Sequence, residues 1–326
     1  MHTLVNTFVS KSEVITVEGG KALYPILVSL PPRYSRTIYF ETLENQEKWL
    51  VILKQISQTF NFDDVYDSKE KLGEGSMGSV YECVHKKTGF KFAVKHMKKA
   101  KKNEQEVLYQ RRELETMKMC QHPNLIRMFD IFETNSYYYI VIELCIGGDF
   151  YDYLGDRNFR ITESRALELA KQLAGAVFYL HSYNIIHRDL KLENVMMLDR
   201  SDIAVPKIVD FGLATILAPE QGAKESVGTV AYAPPEIFKG DSYDKGVDIW
   251  SLGTIFFGLI GGYLPYDDED KSKIMNKVLT EDLDLENVRW KPVTEQAKKM
   301  IRGMLEKDKN LRWKIEQVVS CDWIKM

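Results

Sequence analysis

The chain has 326 residues, and 47 acidic against 44 basic side chains leave a formal charge of −3. That balance excludes a surface built to coat nucleic acid or an anionic membrane, either of which needs an excess of cations. With 44% apolar, 11% aromatic and 28% charged residues the composition is that of an ordinary globular protein, which excludes disorder, collagen and coiled coil for the chain as a whole.

The opening residues, MHTLVNTFVSKSE, lack a basic n-region, a sustained apolar core and a small-residue cleavage site. No secretion signal is read there, and a cytoplasmic location is expected. Gly19-Gly20 and Pro31-Pro32 cut residues 1–35 into short extended pieces, Glu13 to Val17 and Leu23 to Leu30. Arg36 to Glu41 (RTIYFE) is a further strand. A helix is predicted next, from about Leu43 to Thr59 with Thr42 as N-cap, because Trp49, Leu53, Ile56 and Phe60 recur at helical spacing. Asn61 to Lys71 is polar and acidic and reads as a linker, with residues 61–65 separating a segment 1–60 from a new domain.

From Tyr66 to about Val94 the pattern is strand, glycine loop, strand, turn at Lys87-Thr88-Gly89, strand. A helix over 103–119 and two strands, Leu125 to Phe132 and Tyr137 to Leu144, follow. Beyond Gly147-Gly148 helical patterns dominate, interrupted by short strand-like pieces near Val195 and Ile208. A strand-rich half before a helix-rich half predicts two lobes with a cleft between them. Ile249 to Tyr266 runs 18 residues without a charge, but four glycines, a proline and the flanking Asp248 and Asp267 predict a buried core helix and a turn rather than a membrane span. Cys83, Cys120, Cys145 and Cys321 lie far apart, form no CxxC pair, and read as free buried thiols in a reducing compartment.

Gly73-Glu74-Gly75-Ser76-Met77-Gly78 fits GxGxxG and is followed by Ser79 and Val80. Glycines turn tightly and let backbone N–H groups approach phosphate oxygens. A dinucleotide-binding turn would open directly into a helix, with an acidic residue about 20 positions on. Here Val80 to Val84 reads as a strand and lysines lie downstream, so that fold is excluded. Lys95 ends the run Phe92-Ala93-Val94-Lys95, and a lysine among apolar neighbours requires an anionic partner. Glu113, between Val107, Leu114 and Met117 on the predicted helix, is the best candidate, although it also reads as one of several exposed helix carboxylates with Glu104, Glu106 and Glu115.

His187-Arg188-Asp189-Leu190-Lys191-Leu192-Glu193-Asn194 fits HRDLKxxN at every defined position, and Asp210-Phe211-Gly212 lies 21 residues beyond Asp189. In that order and spacing, after the glycine loop and Lys95, residues 66–323 resemble the eukaryotic protein kinase catalytic domain. The resemblance implies an α+β, bilobal fold with a small β-rich N-lobe and a large α-helical C-lobe, and an ATP:protein phosphotransferase with ATP and Mg2+ as cofactors. Phosphoryl transfer spreads charge over the leaving and equatorial oxygens, so its catalysis is positioning and neutralisation. By resemblance Asp210 and Asn194 hold magnesium, which prefers oxygen ligands. Asp189 orients or accepts the proton of the attacking hydroxyl. Lys191 steadies the transferred phosphate, Lys95 holds the α- and β-phosphates, and Glu113 holds Lys95.

The nucleotide is expected along Leu72, Gly73, Glu74, Gly75, Ser76, Met77, Gly78, Ser79 and Val80, with Ala93 and Met196 as further apolar faces for the base and Glu193 nearby. Glu143 to Cys145 correspond to the hinge, with Ile142 as gatekeeper. Asp248 resembles the buried carboxylate that holds the catalytic-loop backbone, and Glu236 with Arg312 the family's structural ion pair. Departures are mild: Pro234 replaces the alanine of the usual APE, and Met77 and Leu192 are variants, none of them removing an ATP-handling group. A nucleotide-binding pseudokinase scaffold is the alternative reading.

Lys191 and Gly228 to Tyr232 look like the serine/threonine-specific branch, and Leu213 resembles members that prefer serine. Glu193 and Asp149 occupy positions that bind a substrate arginine, so protein substrates with basic residues upstream of serine are expected. Gly262 to Lys271 is similar to the calmodulin-dependent kinase group. Arg188 needs a counter-charge, which many relatives supply by phosphorylation; Glu225, followed by Ser226, stands at that position, and activity without activation-loop phosphorylation is expected. RTIYFE and the helix carrying Trp49 resemble the closing strand and C-terminal helix of a pleckstrin-homology domain, and this combination suggests a protein kinase D-like arrangement. Residues 1–60 are too short for that whole domain and lack the basic loop that grips phosphoinositides, so lipid binding is not assumed. No inhibitory tail follows Asp322 to Met326, and restraint is expected from the N-terminal segment or another molecule.

Overall fold

Alternating apolar residues build the first sheet, from β1 (Phe8–Lys11), β2 (Ile15–Thr16), β3 (Ala22–Leu30) and β4 (Tyr34–Phe40). β3 pairs antiparallel with the other three, in registers that set Val9 opposite Val28 and Ile26 opposite Ile38. The computed structural model describes residues 8–12, 14–16, 21–30, 34–56, 61–75, 78–100, 104–134, 136–217, 223, 225 and 227–326. Helix α1 (Leu43–Ile56) starts at the expected N-cap, where Thr42 Oγ1 accepts a hydrogen bond from the Asn45 N–H at 3.2 Å. Its buried face differs from the expected one. Leu50 and Leu53 pack with Val9, Ile26, Val28 and Phe40, while Trp49 is 47% exposed and stacks on Phe40. Gln46 goes inside instead, because its Nε2 donates to the Pro25 carbonyl at 2.7 Å and the amide loses nothing by burial. The expected continuation to Thr59, and Phe60, lie outside the described residues.

A second correction concerns Asn61 to Lys71. This stretch holds a helical turn, α2 (Phe62–Val65), running directly into β5 (Tyr66–Gly75). Phe62 and Tyr66, four apart, put both rings on one side, where they join Cys83, Val94 and Val141 in a core. Phe62 stacks on Tyr66 at 5.6 Å and on Tyr139 at 5.3 Å. The polar majority misled, since the intervening carboxylates simply face water. β5 continues a five-stranded antiparallel sheet with β6 (Gly78–His85), β7 (Lys91–Lys98), β8 (Met128–Glu133) and β9 (Tyr137–Ile142), in the order β5-β6-β7-β9-β8. Burial pushes the Cys83 thiol up to about 12, so it is a neutral core group.

The strands so far, with α1 and α2, form one compact unit; α3 (Glu104–Met119) and everything from Glu143 onward form another. The second unit holds α4 (Phe150–Gly155), α5 (Glu163–Ser182), the short strands β10 (Ile185–Ile186), β11 (Val195–Met197), β12 (Pro206–Ile208) and β13 (Thr215–Ile216), then α6 (Pro235–Lys239), α7 (Gly246–Gly261), α8 (Lys271–Thr280), α9 (Glu295–Met304), α10 (Ile315–Ser320) and α11 (Asp322–Lys325). β10 pairs with β13 and β11 with β12, giving two small antiparallel ribbons. The uncharged run is the buried helix expected: Ile249, Trp250, Leu252, Ile255, Phe256, Phe257 and Leu259 of α7 are each at most 1% exposed. Among the described residues no helix is long and apolar enough to cross a membrane. Glu236 and Arg312 form the expected pair, buried and bidentate at 2.6 and 2.9 Å. No disulfide links the four cysteines; Cys83 and Cys120 are buried, while Cys145 and Cys321 are only partly so.

Candidate active site

In the helical unit the site is assembled on one buried carboxylate. Asp248, in the first turn of α7 and fully buried, accepts the His187 N–H at Oδ2 and the Arg188 N–H at Oδ1, both at 2.9 Å. His181, from the end of α5, meets Oδ2 at 2.9 Å through its Nε2. Burial pushes this carboxyl up, but the hydrogen bond and charge of His181 and the donors at His187 outweigh it and hold the carboxyl below its ordinary value. The segment between β10 and β11 is therefore fixed by its backbone, which frees its side chains for other work. Arg188 tolerates a left-handed φ of +68° in that grip.

Asp189 emerges from this loop at the centre of a cluster. Its Oδ1 accepts from Thr229 Oγ1 at 2.8 Å, and its Oδ2 lies 2.9 Å from both Lys191 Nζ and Asn194 Nδ2. Lys191 Nζ also donates to Thr229 Oγ1 at 3.0 Å. The short helical turn Leu192–Asn194 carries Asn194 back towards Asp189, where Nδ2 donates to the Asp189 carbonyl at 2.7 Å as well as to its carboxylate. Both amide protons are thus committed, and Oδ1 is the atom Asn194 has left for a cation. Asp210 sits after β12 with φ +60°, its Oδ1 accepting the Gly212 N–H at 3.2 Å, and Phe211 behind it is buried against His187.

Among the described residues no group of three or more His, Cys, Asp or Glu is placed to hold a metal. Magnesium in phosphoryl-transfer sites is bound by one or two carboxylates and completed by phosphates and water. One carboxylate and one amide oxygen, Asp210 and Asn194, are a donor set of that kind.

Arg188 is the second centre. Its Nε donates to the Leu213 carbonyl at 2.6 Å, and its Nη1 donates to Glu225 Oε2 at 2.7 Å and to Tyr243 Oη at 3.1 Å. Arg112, from α3, approaches Glu225 Oε1 at 3.9 Å. Ser226 lies outside the described residues. Glu193 is exposed, whereas Asp149 is spent in part on structure, since its Oδ1 caps α4 by accepting the Asp152 N–H at 2.8 Å. Burial raises the Tyr232 phenol, and the charges of Glu193, Asp267 and Asp149 raise it further.

The other expected residues distribute as follows. Met196 pairs with Lys207 across the β11–β12 ribbon. Glu143 donates its N–H to the Arg127 carbonyl and pairs with Lys207 at 2.8 Å, and burial with the neighbouring Glu143 charge pushes the Cys145 thiol up to about 12. Glu113 is 1% exposed, which removes the solvated-carboxylate reading, whereas Glu106 and Glu115 are exposed. In the sheet unit β5 and β6 close over the glycine turn, pairing Gly73 with Val80, Glu74 with Ser79 and Gly75 with Gly78. Ser76 and Met77 lie outside the described residues. Gly78 is sterically required, since a Cβ there would come within 2.1 Å of the His96 carbonyl oxygen. At Gly73 nothing lies within 4 Å of that position, so the protein's own packing does not demand a glycine there. Leu72 is 45% exposed and Glu74 is paired with Lys71 at 2.7 Å. Val80 lies opposite Lys95 on β7, and Ala93 opposite Ile142 on β9.

Thr229 and Tyr243 are the residues that the motifs leave out of the site. Thr229 stood within Gly228 to Tyr232, and only as a marker of branch.

Residues 66–324 match the family described as the protein kinase domain. The chain is 35% identical to a calcium/calmodulin-dependent protein kinase type II of Caenorhabditis elegans, over 81% of this chain and 36% of that protein. It is 37% identical to calcium-dependent protein kinase 5 of Plasmodium falciparum, over 80% of this chain and 46% of that protein. It is 34% identical to the calcium/calmodulin-dependent protein kinase type II alpha chain of Drosophila melanogaster, over 81% of this chain and 50% of that protein. The chain spans half or less of the length of these relatives.

Proposed function

The chain belongs to the protein kinase domain family, with the β-sheet and helical lobes of that fold and the serine/threonine branch of its relatives, and from this we propose that it transfers the γ-phosphoryl group of Mg-ATP to serine or threonine in basic-context proteins. The observation that carries the reading is the grip on Asp189, whose two oxygens are held by Thr229, Lys191 and Asn194. A carboxylate fixed in that way can orient an incoming hydroxyl and take its proton. Lys191, 2.9 Å from Asp189, carries the cation that meets charge developing on the transferred group. Magnesium, when bound, neutralises the phosphate oxygens, and Asp210 with the Oδ1 of Asn194 would hold it. By the family resemblance Lys95 and the glycine-rich segment Gly73 to Gly78 are assigned to the phosphates, and Val80, Ala93, Met196 and the Glu143 to Cys145 backbone to the base.

The basic-context preference rests on Glu193 and Asp149, which stand at the positions that bind a substrate arginine in similar kinases; Glu193 is exposed. Glu225 is assigned the role that a phosphate plays in many relatives, since it meets Arg188 at 2.7 Å, so turnover without activation-loop phosphorylation is part of the proposal. Residues 1–60 are read as the closing strands and C-terminal helix of a pleckstrin-homology-like segment, as in protein kinase D, supported by the antiparallel run of β3 and β4 into α1. A cytoplasmic site of action is consistent with four cysteines free of disulfides.

The test is transfer of labelled phosphate from ATP to a serine peptide with arginine upstream. We expect transfer by the unphosphorylated protein and its loss in Asp210→Asn. Nucleotide binding without transfer would favour the scaffold alternative, and a preference for proline-directed or acidic peptides would remove the substrate assignment.

A further inference from the structure

Tyr243 lies outside every motif, yet it touches both halves of the Arg188 site. Its ring is 3% exposed and packs with Ile186 and Val247, flanked by Leu217, Ala223 and Ile237. Its backbone exchanges two hydrogen bonds with Ala223, each 2.9 Å. Its hydroxyl accepts from Arg188 Nη1 at 3.1 Å and donates to the Glu225 carbonyl at 2.8 Å. Since Arg188 Nη1 also donates to Glu225 Oε2 at 2.7 Å, the three residues close a ring of hydrogen bonds. Glu225 is thereby held at its carboxylate and at its main chain.

We propose that Tyr243 is a positioning residue for phosphoryl transfer, whose hydroxyl locks Glu225 onto Arg188 and so holds Thr229, four residues on, against Asp189. The proposal deepens the function given above and rests on it. The physical need is clear from exposure. The Arg188 side chain is 2% exposed but that of Glu225 is 37% exposed, so water screens the pair on the Glu225 side and the pair alone restrains the segment only in part. A phosphate would offer more charge and more acceptor oxygens at that position. A buried phenol supplies the missing restraint differently, because it fixes the backbone carbonyl rather than adding charge. Accepting from a guanidinium and donating to a carbonyl also polarises the hydroxyl in one direction, so the two bonds strengthen each other.

Tyr243→Phe keeps the ring and its packing and removes only the hydroxyl. We expect kcat to fall about tenfold, since the variant loses both bonds of the hydroxyl, the one from the charged Arg188 and the one to the Glu225 carbonyl. KM for ATP and the unfolding midpoint should stay near wild type. In Tyr243→Phe/Glu225→Ala the loss should be no larger than in the worse single variant, since both act through one ring. Unchanged kcat in Tyr243→Phe, or losses that multiply in the double variant, would overturn the proposal. Hydrogen exchange gives a readout independent of turnover: the amides of Ala223, Glu225 and Val227 should exchange faster in Tyr243→Phe, and unchanged exchange would refute the lock. If exchange rises as expected but the wild-type protein transfers no phosphate, the lock stands and the kinase reading fails.

Discussion

Asp189 shows how a single side chain acquires a role from its neighbours. Thr229 Oγ1 links Asp189 Oδ1 to Lys191 Nζ, so removing that hydroxyl should loosen both groups. Thr229→Val should lower kcat by roughly ten- to a hundredfold, the range of about 1.5–3 kcal/mol for a hydrogen bond to a charged partner, whereas Thr229→Ser should lose much less. Steady-state kinetics of the pair, at saturating ATP, decides it. His96 carries a pH prediction. Burial lowers its pKa below the ordinary 6.5, against a weaker pull from Asp63, because the ring is enclosed by Phe62, Tyr81 and Tyr139. A folded-state value that is depressed means the unfolded chain binds the proton more readily. Stability from this residue is therefore complete above pH 6.5 and falls as the pH drops below it. Thermal unfolding of wild type between pH 7.5 and 5 should show a steeper fall than that of His96→Phe.

At the scale of elements, α9 meets the loop after it so closely that glycine is the residue that fits. A Cβ at Gly303 would lie 2.3 Å from the Trp313 ring. Alanine normally stabilises a helix interior by about 1 kcal/mol over glycine. Here overpacking, about 1–3 kcal/mol, should exceed that gain. Gly303→Ala is accordingly expected to lower the unfolding midpoint, measured by calorimetry, rather than raise it. Two elements also mark where periodicity stops being informative. In α1 the pattern of Trp49, Leu53 and Ile56 was visible, yet Gln46 took the inner place because Pro25 offers its amide a partner and Trp49 keeps its stack on Phe40 at the rim. In α2 the acidic composition hid Phe62, a single ring whose burial depends on the strands behind it.

At the scale of the molecule, the domain boundary follows from that ring. Phe62 belongs with the β5–β9 sheet, stacking on Tyr66 and Tyr139 and meeting Phe132 edge-on. A chain beginning at Asn61 should keep the sheet's stability, whereas one beginning at Tyr66 loses an aromatic core side chain, about 3–5 kcal/mol. Unfolding midpoints of the two fragments would separate these boundaries. Their relative turnover would further show whether residues 1–60 restrain the enzyme. The amino-acid order alone determined the family: HRDLKxxN, DFG, a glycine turn and a lysine in fixed succession are local strings, and their carboxylates, amide and cations are the kinds of group that phosphoryl transfer uses. Folding decided which distant side chains serve them. Glu225, Thr229 and Tyr243 lie 37 to 55 residues from the loop groups they bond, and no spacing along the chain sets a distance across such a span. That distance is fixed by α7, whose buried Asp248 holds the loop's backbone, and by the core around Tyr243, which brings Ala223 and Glu225 back to it.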